Sequence, residues 1–71
     1  MPKLPSSQLI VRVLVHEGFF FVSQKGSHGK FRKKFGNHTL TVIVPMNKKE
    51  IPMGTFKSIL RQSQLTEDNF N

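Results

Sequence analysis

The 71-residue sequence predicts an α+β fold in the order αβββα: a three-stranded antiparallel sheet with two helices on one face. Three observations predict it. A serine-headed apolar segment opens the chain. Short aromatic and β-branched runs separated by glycine turns follow, and an amphipathic stripe lies near the end. The length suits a single domain, 1–71, with one modest core.

Pro5-Ser6-Ser7 reads as a helix start, because a serine hydroxyl can accept from the first free N–H groups and apolar residues follow. Over residues 8–17 a helical wheel gathers Leu9, Ile10, Val13 and Leu14 on one side and Gln8, Arg12 and His16 on the other. Val11, Val13 and Val15 also alternate, and β-branched residues suit strands, so helix and strand fit equally here. Gly18 ends the element in either case. Phe19 to Gln24 reads as a strand, and Lys25-Gly26-Ser27 as a turn. His28 to Phe35 is a second strand. Alternation puts His28, Lys30, Arg32 and Lys34 on one face, and Gly29, Phe31, Lys33 and Phe35 on the other, where Phe31 and Phe35 read as core.

Gly36-Asn37 marks a hairpin turn, and His38 to Val44 a third strand with Leu40, Val42 and Val44 facing one way. Pro45 ends it. After a polar connection, Pro52 stands at or just before a helix start. Thr55 to Gln62 is a helix in which Phe56, Ile59 and Leu60 form the apolar stripe, with Lys57 and Arg61 outside. Thr66 to Phe70 suits a short capped turn that returns Phe70 to the core. Two helices on one sheet face leave the other partly open to solvent, and His28, Lys30 and Arg32 lie on that open face.

Charge narrows the function. No carboxylate occurs between Glu17 and Glu50, and that interval carries seven of the eleven basic residues: Lys25, Lys30, Arg32, Lys33, Lys34, Lys48 and Lys49. A net charge of +7 on 8.1 kDa, clustered in this way, suits nucleic acid, an anionic membrane surface or an acidic protein. The absence of cysteine excludes disulfides and thiolate metal sites and fits a reducing cytosol. No stretch approaches the roughly 18–20 apolar residues of a membrane span. Met1-Pro2-Lys3-Leu4-Pro5 lacks the features of a signal peptide, so a cytoplasmic protein without a membrane partner is expected. Histidine spacings of 12 and 10 match no common metal motif, and neither a metal nor a cofactor is expected. Gly26-Ser27-His28-Gly29 sets an imidazole, able to take and give a proton near neutral pH, inside the basic stretch. Taken alone, a histidine after Gly-Ser is more often a turn residue bonded to backbone than a catalyst.

Several segments together resemble the HicA (YcfA-like) toxin family: Gly18-Phe19, Gln24-Lys25-Gly26-Ser27-His28, Val44-Pro45, Glu50-Ile51-Pro52, and the run from Gly54 to Gln62. Their order and spacing carry the resemblance, which covers about Ser7 to Phe70. It implies a double-stranded-RNA-binding-domain-like fold and makes the first element a helix despite its valines. It further implies a type II toxin that cleaves mRNA as an endoribonuclease, and a partner antitoxin, HicB. The family's functional histidine falls on His28. Three positions depart from the pattern. Gly29 stands where a histidine or aromatic often follows Gly-Ser-His, and Met46-Asn47 where a histidine often follows Val-Pro. Gln64 replaces the glycine common after the second helix, so that helix is expected to end without its usual cap.

On this reading His28 is general base on the 2′-OH or general acid on the leaving 5′ oxygen, with no metal required. Lys25, Ser27, Lys30 and Arg32 hold the phosphate, and the cations among them stabilise its growing charge. Lys48 and Lys49 precede the second helix, and either hold phosphate at its N-terminus or remain a solvated loop. Phe19, Phe20 and Phe21 are candidates for base stacking, with at least one expected in the core. His16 is expected on the helix surface and His38 at a strand start. An antitoxin covering the open face should be acidic where it meets Lys30 and Arg32. The alternative function is a non-catalytic RNA-binding module of the same fold, reading A-form RNA by shape and backbone charge. Such a binder would tolerate loss of His28. A third reading, a basic protein whose only partner is an acidic protein, predicts association without RNA that persists at high salt.

Overall fold

Ser6 is extended, and its Oγ accepts the Leu9 amide at 3.1 Å, which satisfies one of the free donors at the start of a helix. In the computed structural model, which describes residues 3–71, that helix is α1 (Ser7–His16). Met1 and Pro2 of the N-terminal stretch lie outside the described residues. Burial follows the helical period and not the valine alternation. Ile10 and Leu14, four apart, are buried, whereas Val15 is exposed.

The chain continues through β1 (Phe20–Lys25), β2 (His28–Phe35), β3 (His38–Pro45), α2 (Met53–Ser63) and a 3₁₀ turn (Glu67–Phe70). The strands pair antiparallel in the order β1-β2-β3. Each hairpin closes over two residues, Gly26-Ser27 and Gly36-Asn37. Gly26 has φ of 58° at the first loop position, a conformation that residues with a Cβ rarely adopt.

One sheet face supplies Phe31, Val42 and Val44 to the core. Ile10 and Leu14 from α1, and Phe56 and Ile59 from α2, join them in a single cluster with Phe19, Ile51 and Phe70. Both helices therefore cover the same face, which gives the expected α+β arrangement. Phe70 returns as expected, edge-on to Phe56 with centroids 5.4 Å apart. Its turn is held by the Thr66 N–H, which donates to Asn69 Oδ1 at 2.9 Å.

Two expectations are corrected. Phe35 is not core but 53% exposed. It stands at the hairpin end of β2 opposite His38, and Lys33 Nζ lies 5.9 Å from its ring centroid. The end of α2 does carry the usual left-handed cap, without a glycine. Gln64 itself takes φ of 65°, and its N–H donates to the Leu60 carbonyl at 2.9 Å. A side chain in that region costs about 1 kcal/mol or more relative to glycine.

β1 and β3 are the sheet edges. Gln62 of α2 accepts the Ile43 N–H at 3.0 Å and so covers an edge donor of β3. β1 has no such cover and is exposed along its whole length. Among the described residues no helix is long and apolar enough to cross a membrane.

Candidate nucleic-acid interface

The site is built on the sheet face turned away from the helices. Cross-strand partners share a face, so the register fixes its members. His28 faces Lys25 on β1 and Pro45 on β3; Lys30 faces Ser23 and Ile43; Arg32 faces Phe20 and Thr41; Lys34 faces Thr39. The central row is therefore His28, Lys30, Arg32 and Lys34, as alternation predicted. Lys25 joins it from the edge strand. No carboxylate occurs in any of the three strands. His28 and Lys25 are exposed, and Lys30 and Arg32 half-buried along their stems.

β1 does not alternate strictly. The register shifts between Phe21 and Ser23, leaving Val22 as a bulged residue. The extra residue lets Phe20 and Lys25, five positions apart, lie on the same face. Phe21 falls opposite Phe31 on the helix side, with ring centroids 5.6 Å apart. Lys33 also belongs to the helix side, its Nζ 5.7 Å from the Phe19 ring centroid.

Backbone contacts hold His28 in place. Gln24 Nε2 donates to the Gly26 carbonyl at 3.0 Å, and the Met46 N–H donates to the Ser27 carbonyl at 2.6 Å. The hairpin loop before His28 is thus tied from both sides. Pro45, the β3 partner of His28, is fixed from α1: Ser7 Oγ donates to its carbonyl at 2.6 Å and accepts the Lys48 N–H at 2.9 Å. Two of the three departures from the family pattern meet each other here. A Cβ on Gly29 would stand 3.1 Å from Met46 Sδ and 3.3 Å from the Phe31 ring. Glycine at 29 leaves the room that Met46 occupies.

Of the candidate residues, the structure gathers Lys25, His28, Lys30 and Arg32 on one face, with Ser27 in the loop beside them. It sets Lys48 and Lys49 elsewhere. They line a cleft of about 570 Å³ with Ser6, Ser7, Met46 and other residues at the start of α1. That cleft includes no residue of α2, so the expected placement against the second helix is not the one observed. His16 and His38 are exposed at an element end and an element start, as expected. The sequence reading gave Phe20 no place beside the cations. The only signal for it was the run of three phenylalanines, one of which alternation alone would have placed on the wrong face.

A field of this kind, with cations gathered on one surface and no carboxylate among its strands, attracts polyanions and speeds their encounter. No curated protein matches the chain. The family model described as the HicA toxin of bacterial toxin–antitoxin pairs matches residues 8–65, from within α1 to just past α2. That span covers the whole sheet, both sides of the open face and most of the core, and on it the chain belongs to the HicA toxin family, as the toxin of a bacterial toxin–antitoxin pair with an antitoxin partner.

Proposed function

We propose that this toxin is an endoribonuclease that cuts mRNA in the cytoplasm, with His28 as its proton-transfer group. The observation that carries the reading is the position of His28 on an exposed sheet face, beside Lys25 and in line with Lys30 and Arg32, with no carboxylate in the strands that form it. RNA brings its own nucleophile. His28 takes the proton of a 2′-OH as that oxygen forms its bond to phosphorus. The bond from phosphorus to the 5′ oxygen breaks, and the leaving oxygen takes a proton from water. The products are a 2′,3′-cyclic phosphate and a 5′-OH end.

Lys25, Lys30 and Arg32 hold the phosphate and stabilise the charge that grows on it, while Ser27 offers a hydroxyl at the loop. Lys48 and Lys49 extend the positive track along the bound strand. The antitoxin, HicB-like, sets carboxylates against Lys30 and Arg32 and so covers the same face.

The test is a comparison of an unmodified transcript with its 2′-O-methyl counterpart, each incubated with the toxin in EDTA. Cleavage of the first alone, leaving cyclic phosphate ends, is the expected result. Cleavage of the methylated strand, or of neither, contradicts the reading.

A further inference from the structure

We infer that Phe20 is a stacking platform for an unpaired base, and that the RNA this face takes is single-stranded at that point. The inference rests on the proposed RNA reading and deepens it. The structure sorts the three consecutive phenylalanines of the chain into three environments. Phe19 is buried in the core, and Phe21 lies against Phe31 on the helix side. Phe20 alone turns to the open face, 56% exposed and opposite Arg32. No tyrosine or tryptophan exists in the chain, and the other four phenylalanines lie on the helix side of β2, in α2 or in the 3₁₀ turn. Phe20 is therefore the single phenyl ring on a face that otherwise carries cations and small polar groups.

That combination is what a single strand needs. Cations follow its backbone, and an aromatic face takes a base whatever its identity. A paired base has no free face to offer, so the ring favours unpaired RNA over duplex. Arg32 lies four residues beyond His28 on β2, about 13 Å along the strand. At a rise of about 3.4 Å per stacked nucleotide, the base on Phe20 lies within about four nucleotides of the phosphate at His28. The bulge at Val22 makes this possible, since strict alternation from Lys25 would have put Phe21 there instead.

The test measures the affinity of wild type, Phe20→Ala, Phe20→Leu and Phe20→Trp for a mixed-sequence 2′-O-methyl RNA oligonucleotide and for its duplex. The single strand has no free 2′-OH and is not consumed. Phe20→Ala and Phe20→Leu should bind it about 5- to 100-fold more weakly, with duplex affinity unchanged. The Phe20→Trp variant, whose indole is the only one in the chain, should bind as tightly as wild type and lose fluorescence on saturation. On a cleavable transcript Phe20→Leu should raise KM and leave kcat alone, the mark of binding shared by ground and transition states. Unchanged single-strand affinity of both truncations, an unquenched indole, or loss of antitoxin binding with RNA affinity intact would each overturn the assignment. Wild-type binding without a Phe20 effect refutes the platform and leaves the nuclease reading standing. A Phe20 effect on binding without any cleavage by wild type supports the platform and refutes the nuclease.

Discussion

Lys25 faces His28 across the mouth of the β1–β2 hairpin, and only Gly26 and Ser27 separate them along the chain. Cross-strand partners stand about 5 Å apart at Cβ, so an ammonium and an imidazole can reach the same phosphate. The short loop also leaves the pair little freedom, because Gln24 and Met46 hold its carbonyls.

The first prediction concerns this pair. Lys25→Ala should lower the maximal cleavage rate about 100-fold, as expected when a group that stabilises transition-state charge is removed. RNA affinity should fall far less, since several other cations remain. Single-turnover rates at saturating enzyme separate the two effects; an unchanged rate with weakened binding would reduce Lys25 to a backbone contact.

Lys48 and Lys49 should behave differently because they line the cleft at α1 rather than the open face. Changing both to alanine should flatten the dependence of log affinity on log salt by about 1.5 to 2, close to one unit per lost phosphate contact. The maximal rate should not move. Affinities measured across a salt series check both statements, and an unaltered slope would remove these lysines from the RNA path.

Ser7 is a buried hydroxyl that both donates and accepts, to Pro45 and from Lys48. Ser7→Ala leaves both backbone groups without that partner and should cost about 2 kcal/mol. In a domain this small the melting temperature should fall by roughly 10 °C. A thermal melt within a degree or two of wild type would show that water replaces the hydroxyl at no cost.

Gln64→Gly should have the opposite sign. It removes a Cβ from a left-handed residue, offset in part by a more flexible unfolded chain, for a net gain of up to about 1 kcal/mol. The melting temperature should rise by a few degrees. A fall would mean that the Gln64 side chain makes a contact worth more than its strain.

Much of this was legible in the sequence because period-two patterning is informative where a strand stays regular. β2 alternates without interruption, so His28, Lys30 and Arg32 could be placed on one face before any coordinates. β1 could not be read that way, since a bulge moves one residue out of phase and nothing in Phe20-Phe21-Val22-Ser23 marks which residue is extra. Alternation gave Phe35 its face but not its burial, which depends on how far the helices reach along the sheet. For residues 8–17 the valines favoured a strand locally, and burial of Ile10 and Leu14 against the sheet outweighed them. Gln64 was expected to break the cap because propensity treats the left-handed region as glycine's own; the Leu60 carbonyl receives its bond regardless.

The most direct measurement compares wild type with His28→Ala on one long single-stranded RNA, scoring fragments and affinity in the same samples. The account predicts that the variant binds within about threefold of wild type and cuts at least 100-fold more slowly, the loss expected for a positioned proton-transfer group. A variant that cuts at the wild-type rate would contradict the central role of His28, and a wild type that binds without cutting would make this face a binding surface alone.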